Sequence, residues 1–322
     1  MPRPLPASAQ LRVYFSVLIP YCASNFGRHW GPRLSGASAV VTQVMHVDLV
    51  DLVWAAVSIG KPGANALHSH GLSSYLDGVG QACTILSVLD TDGTLFFRSS
   101  LQRDQDSTDL AYSSNKTGGV LSKLVASQLF GVRWLFHVSL IEKVAGLPRF
   151  STKKRPDFVG MDAGFKWYIV EAKGNSGPYD PAVTAYGKKQ TRSLRRINGD
   201  LPCLRAVVQS HYRWNVLCAH VEDPEEYDDD AEDIEIDPAQ LVAAYYSSLT
   251  PRGIESRVEE IEGRMYSVYE IPVLGCCLAI PQETGGAPFD LPIEGAWKRT
   301  VDGFHIYPDG LALRLPALQA ER

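Results

Sequence analysis

Asp157, Glu171 and Lys173 are the residues of this chain whose types and spacing suit chemistry. Asp157 follows Pro156 in the run Arg155-Pro156-Asp157-Phe158-Val159-Gly160. Glu171 and Lys173 lie a short distance on, in Trp167-Tyr168-Ile169-Val170-Glu171-Ala172-Lys173-Gly174. Both runs are apolar and strand-like. Strand side chains alternate, so Trp167, Ile169, Glu171 and Lys173 project together while Tyr168, Val170 and Ala172 face the other way. Glu171 and Lys173 then sit about 7 Å apart along the strand. Antiparallel pairing of the two runs brings Asp157 beside Glu171. Two carboxylates and an ammonium converging on one spot suit hydrolysis of a phosphodiester with Mg²⁺.

The neighbouring sequence supplies elements to hold such a site. Asp180-Pro181 reads as an N-cap with proline at the first helical position, and Asn198-Gly199 reads as the stop. Between them Val183, Tyr186, Gln190, Leu194 and Ile197 recur at helical spacing, a stripe expected to lie on a sheet. Lys188, Lys189, Arg192, Arg195 and Arg196 fall on the outward face. From Lys143 to Arg213 cations outnumber acids fourteen to five, although the whole chain carries a net charge of −5. Basic charge concentrated there, Lys153-Lys154-Arg155 included, points to a nucleic-acid backbone as partner. Further strands are expected at 204–210 and 214–221. Upstream, residues 119–130 show helical spacing and lead into a buried strand at 132–138.

The Pro156-Asp157 pair followed by Glu171-Ala172-Lys173, within the order helix, three strands, helix, strand, resembles the PD-(D/E)xK nuclease superfamily. The resemblance implies an α/β fold: a restriction-endonuclease-like α-β-β-β-α-β core with a mixed central sheet flanked by helices, plus N- and C-terminal extensions. It implies Asp157, Glu171 and the backbone carbonyl of Ala172 as ligands of Mg²⁺ (or Mn²⁺), with Lys173 and Gln190 as catalytic partners. Many members carry an additional acid on the first core helix. This chain has no Asp or Glu from Leu110 through Ile141, and Glu142 is the nearest substitute ligand, which makes a one-metal site the expectation. The expected units are an N-terminal α/β region (1–105), the nuclease-like core (106–222), and an acidic loop with a C-terminal α/β extension (223–322). The expected activity is metal-dependent phosphodiester hydrolysis, with DNA as substrate and an endonuclease mode. The alternative is a catalytically inactive nucleic-acid-binding or scaffold protein that keeps the fold. A homodimer is a further expectation, because nucleases that cut both strands often pair.

Other chemistries find little support. With 45% hydrophobic and 21% charged residues the composition is that of an ordinary globular protein. No apolar run reaches the roughly 18 residues of a membrane helix, so no membrane partner is expected. The best approach to one, 44–59, is interrupted by His46, Asp48 and Asp51 and reads as an amphipathic element. Residues 12–23 read as a buried strand ending at Pro20 in preference to a signal peptide. The six cysteines show no metal or disulfide spacing and fit a reduced, cytoplasmic protein. His68-Ser69-His70 has no third ligand nearby. There is neither a phosphate-binding loop of the Walker type nor a G-x-S-x-G elbow. The acidic segment 222–237 reads as a solvated loop, or as a nucleic-acid mimic masking the basic helix.

Overall fold

The structure is a computed structural model and describes residues 17–24, 41–59, 71–146, 154–223, 227–250, 253–282 and 297–314. Lys153 and His68-Ser69-His70 lie outside the described residues. The chain begins with β1 (Val17–Ser24) and β2 (Val41–Val47), followed by α1 (Leu49–Ser58), α2 (Gly71–Val88), β3 (Leu89–Thr91) and β4 (Phe96–Arg98). A short α3 (Ser100–Arg103) leads to α4 (Ser107–Phe130), β5 (Trp134–His137), α5 (Val138–Val144), β6 (Phe158–Met161) and β7 (Trp167–Gly174). Next come α6 (Pro181–Thr191), β8 (Leu194–Ile197), β9 (Leu204–Arg213), β10 (Val216–Glu222), β11 (Glu232–Ile234) and α7 (Pro238–Leu249). The last strands are β12 (Arg257–Ile261), β13 (Arg264–Ile271), β14 (Cys276–Pro281), β15 (Arg299–Val301), β16 (Phe304–Ile306) and β17 (Ala312–Arg314).

A mixed nine-stranded sheet has the order β2-β1-β10-β9-β7-β6-β5, with β4 and then β3 attached beside β10. Strands β5, β6 and β7 form an antiparallel meander, and β7 runs parallel to β9 across the α6 connection. The β9–β10 hairpin is antiparallel, and β1 continues the sheet parallel to β10. This sheet therefore draws strands from both sides of residue 105. A six-stranded antiparallel sheet, β12-β13-β14-β17-β16-β15, follows, and β8 pairs with β11 in a small parallel ladder.

Helices cover both faces of β7. Gly187 of α6 stands over the Glu171 side chain, and Gly118 of α4 meets the backbone of Lys173 and Gly174. Glu171 and Gly174 point to opposite faces, so α6 and α4 lie on opposite sides. That double cover explains why Trp167 through Glu171 are all buried. A Cβ on Gly174 would fall 1.8 Å from the Ser114 carbonyl oxygen, so this end of β7 demands glycine.

Asp106 caps α4 by accepting from the Thr108 and Asp109 amides, and Gly131 ends it at φ 72°. The helix starts well before the expected 119–130 stretch. Its first half buries Ser113, Ser114, Thr117 and Gly118, a face that apolar periodicity does not reveal.

Three other expectations are corrected. Helix α6 ends at Thr191, not at Asn198: Leu194 and Ile197 belong to β8, and Asn198 and Gly199 take φ of 53° and 80° in the following turn. Trp214 is not in a strand but at the exposed tip of the β9–β10 hairpin, with φ 55°. The 44–59 stretch splits into β2 and α1, and α1 is a core helix, not an amphipathic one. Asp51 is buried there and holds Lys298 and the Tyr307 hydroxyl, each at 2.8 Å.

One hydrophobic core includes residues of both large sheets, among them Trp54, Leu124, Val170, Leu278 and Leu313. Polar contacts stitch the same junction. Asp309, in the turn between β16 and β17, accepts from Lys123 Nζ at 3.3 Å, Tyr245 Oη at 2.7 Å and Trp54 Nε1 at 3.1 Å. A buried carboxylate with this many donors is satisfied and orients α1, α4 and α7 around the C-terminal sheet. Among the described residues no helix is long and apolar enough to cross a membrane.

Candidate active site

The last register pair between β6 and β7 is Phe158↔Val170, so Asp157 and Glu171 stand just beyond the paired segment. Two reciprocal bonds fasten them. The Asp157 amide donates to Glu171 Oε2 at 2.9 Å, and the Ala172 amide donates to Asp157 Oδ2 at 3.1 Å. Within a strand the N–H and C=O of one residue point the same way. The Ala172 carbonyl therefore faces the side on which the Asp157 carboxylate sits.

Lys173 forms an ion pair with Glu171 Oε1 and donates to Gln190 Oε1 at 2.6 Å. Its ammonium also lies 5.3 Å from the centre of the Tyr186 ring. Gln190 in turn donates from Nε2 to the Arg155 carbonyl at 3.1 Å. One amide thus ties α6 both to Lys173 and to the segment that carries Asp157. Asp180 caps α6 through the Ala182 amide at 2.9 Å, with Pro181 at the first position. The buried face of α6 is Thr184, Gly187 and Thr191; Tyr186, expected on the sheet-facing stripe, is 54% exposed.

Burial raises both carboxyls above the ordinary carboxylate range. For Asp157 the opposing influence is chiefly Lys173. For Glu171 burial is reinforced by the Asp157 charge and opposed by Lys173, and the shift is the larger. Two carboxylates that repel each other, Glu171 buried and Asp157 partly so, are what a divalent cation relieves. The donors available, two carboxylates and the Ala172 carbonyl, are hard oxygens suited to Mg²⁺ or Mn²⁺.

Among the described residues no group of three or more His, Cys, Asp and Glu is arranged to hold a metal ion. Glu142 accordingly does not complete a three-carboxylate set. It lies in α5 and not at the end of a core strand, and it accepts from Arg155 Nη1 at 2.5 Å. A metal here would rest on the two carboxylates and the carbonyl, with water and substrate oxygens filling the remaining positions, a coordination Mg²⁺ commonly uses.

The basic residues prove to be dispersed. Lys188 and Lys189 are on α6, Arg192 is its C-cap, and Arg195 and Arg196 are on β8. Lys188 pairs with Glu222, and Arg195 makes a two-pronged contact with Asp233 at 2.9 and 2.7 Å. Arg196 donates to the Gly199 carbonyl at 3.0 Å. Lys154 and Lys189 are exposed, and Lys189 has no ion-pair partner among the described residues. The acidic segment is not simply a solvated loop: Glu232–Ile234 pairs with β8, and Ala231, Ile234 and Ile236 are buried. Burial of those side chains makes residues 231–236 an integral part of the fold and argues against their serving as a mask that nucleic acid displaces.

A cavity of ≈ 340 Å³ opens on the α4 side of Asp157, lined in part by Gln81, Asn115, Lys116, His137 and Arg155. Sequence reasoning missed this wall. His137 lies opposite Phe158 in the β5–β6 register, next to Asp157, and that adjacency was the available signal. Burial, with Arg155 and Lys116 nearby, pushes the His137 imidazole down to about 4. Lys116 gave no signal beyond its place on a helix rich in serine and threonine.

Comparison of the chain with protein-family models, with curated proteins and with solved structures finds no match.

Proposed function

We propose that this chain is a metal-dependent nuclease of the PD-(D/E)xK kind, hydrolysing phosphodiester bonds of nucleic acid, with DNA as the substrate to test first. The observation that carries the reading is the reciprocal fastening of Asp157 and Glu171 with Lys173 held against Gln190. The element order around the site supports it, with two insertions that the motif does not call for: α4, β5, α5, β6 and β7, then α6, β8 and β9, with β9 parallel to β7. The finer restriction-endonuclease-like assignment rests on this order and on the motif.

When bound, Mg²⁺ or Mn²⁺ supplies Lewis acidity at the phosphate and acidifies the attacking water. Asp157, Glu171 and the Ala172 carbonyl would hold it. Lys173 stabilises negative charge developing on the phosphate and orients the water from a position fixed by Glu171 and Gln190. Gln190 acts as a positioning residue through Lys173 and the Arg155 carbonyl. Lys154 and Lys189 contribute backbone contacts at the surface.

A second reading, a nucleic-acid-binding scaffold without catalysis, is favoured by one observation: the α4 wall beside Asp157 presents Asn115 and Lys116 and no carboxylate. Plasmid, linear and single-stranded DNA, and RNA, incubated with Mg²⁺, Mn²⁺ or EDTA separate the two. Cleavage that needs metal and disappears in Asp157→Ala, Glu171→Ala and Lys173→Ala supports the enzyme. Activity retained in all three variants rejects the site, and binding unchanged in EDTA without any cleavage supports the scaffold.

A further inference from the structure

The structure places Lys116 and His137 on the wall of the cavity beside Asp157. Lys116 Nζ is 3.2 Å from the neutral Gln81 Oε1 and 5.4 Å from the centre of the Tyr112 ring. It has no carboxylate partner among the described residues, whereas Arg155, Lys188 and Arg195 are each paired with an acid. His137 Nδ1 accepts the Ser139 amide at 3.1 Å and lies 2.7 Å from the Ser139 hydroxyl. An Nδ1 that accepts an amide proton is unprotonated, so the ring hydrogen of the neutral form sits on Nε2. That Nε2 has no partner among the described residues, and His137 lines the cavity. The Asn115 side chain, on the same wall, has no hydrogen-bond partner among the described residues either.

We propose that this cavity seats a phosphate of the nucleic-acid strand, held by Lys116 and the Nε2–H of His137, beside the phosphate that is cut. This rests on the nuclease reading and adds a second anchoring point to it. The two sides of β7 give the geometry. Lys173 projects toward α6, while the Lys116 cavity opens on the α4 side, where Ala172 also faces. A strand crossing this end of the sheet would place one phosphate on each side of Asp157. An anion is the occupant that fits, because Lys116 brings a positive charge with no carboxylate partner among the described residues, and His137 and Asn115 add N–H donors. The volume is near the lower limit for small-ligand pockets, enough for one nucleotide unit and too small for a duplex.

Binding of fluorescently labelled single-stranded DNA in EDTA tests the seat without cleavage. Lys116→Gln should weaken binding about fivefold at 0.1 M salt and reduce the slope of log affinity against log salt by about 0.7. Lys116→Arg should restore both, and thermal melts of both variants establish that they fold. Strands with a 5′-phosphate, with a 5′-hydroxyl, and circular strands form the arms. A loss confined to the 5′-phosphorylated strand assigns the seat to a terminal phosphate, and a loss on all three assigns it to an internal one. Unchanged affinity and slope in folded Lys116→Gln, with wild type still cutting in Mg²⁺, overturns the seat alone. A wild type that neither binds nor cuts any of these strands overturns the nuclease reading and the seat together.

Discussion

The Asp157 amide donates to Glu171 Oε2 at 2.9 Å, so one carboxylate of the candidate site fixes the backbone that carries the other. Ala172 returns the contact through its own amide to Asp157 Oδ2. The pair is thus held by main-chain donors, which do not change when a side chain is neutralised. Asp157→Asn keeps a carbonyl oxygen for the Ala172 amide and removes a charge that burial disfavours. It is expected to melt at or above the wild-type temperature while losing Mn²⁺ affinity by more than about 100-fold, beyond the 10–100-fold typical of an outer partner. Calorimetric titration with Mn²⁺ beside a thermal melt checks this. Undiminished Mn²⁺ binding would remove Asp157 from the metal site.

Gly187 sets the distance between α6 and the sheet. A Cβ there would meet Val207 Cγ1 at 2.8 Å and Glu171 Cγ at 3.3 Å. Gly187→Ala therefore pushes α6 outward, at a cost of about 1–3 kcal/mol of stability. Gln190 is one turn further along the same helix, so the displacement reaches the Lys173 contact. Cleavage is expected to fall by about 10²-fold, the usual consequence of misplacing a catalytic group by an ångström. Full activity in a destabilised Gly187→Ala chain would show that the site tolerates movement of α6.

Asp51 gives a pH signature independent of the site. Burial pushes its carboxyl up to about 6 against the opposing Lys298, with Asp48 and Tyr307 also facing it. The native state then holds a proton that the unfolded chain releases near pH 4. Stability from this group is complete below that pH and lost as pH rises through about 6. Relative to Asp51→Asn, wild type should lose on the order of 2 kcal/mol between pH 4 and 6.5 and change little above. Denaturant unfolding across this range provides the measurement, and parallel profiles for the two chains would refute the assignment.

The parts of the fold that could be read in advance are those whose determinants are local. Asp157, Glu171 and Lys173 come together because a short antiparallel meander and a two-residue side-chain period fix their faces. Asp180-Pro181 likewise fixes the start of α6 within its own first turn. The end of α6 depends on β8 pairing with β11, a partner nearly forty residues away by its register of Glu232↔Leu194. An apolar stripe runs smoothly through Thr191 and carries no trace of that pairing. Asp51 read only as a break in an apolar run because its partners, Lys298 and Tyr307, belong to the far end of the chain. The Lys116 wall stayed hidden for a related reason: α4 is packed by Ser114 and Gly118, small residues whose close approach to Gly174 has no hydrophobic signature.

Gln190 distinguishes positioning from substrate contact. Its Oε1 holds Lys173 Nζ at 2.6 Å, and its Nε2 holds the Arg155 carbonyl at 3.1 Å. Gln190→Ala frees both, and Lys173 keeps its contacts with Glu171 and the face of Tyr186. If Gln190 works by orienting Lys173, kcat should fall about 10–100-fold while KM and Mn²⁺ affinity stay close to wild type. Gln190→Glu retains an acceptor for Lys173 but loses the donor to Arg155 and adds a negative charge near Glu171. It should recover part of the rate only at lower pH, where the added carboxyl is protonated and can again donate. A rise in KM at constant kcat in Gln190→Ala would instead assign this amide to binding of the substrate itself.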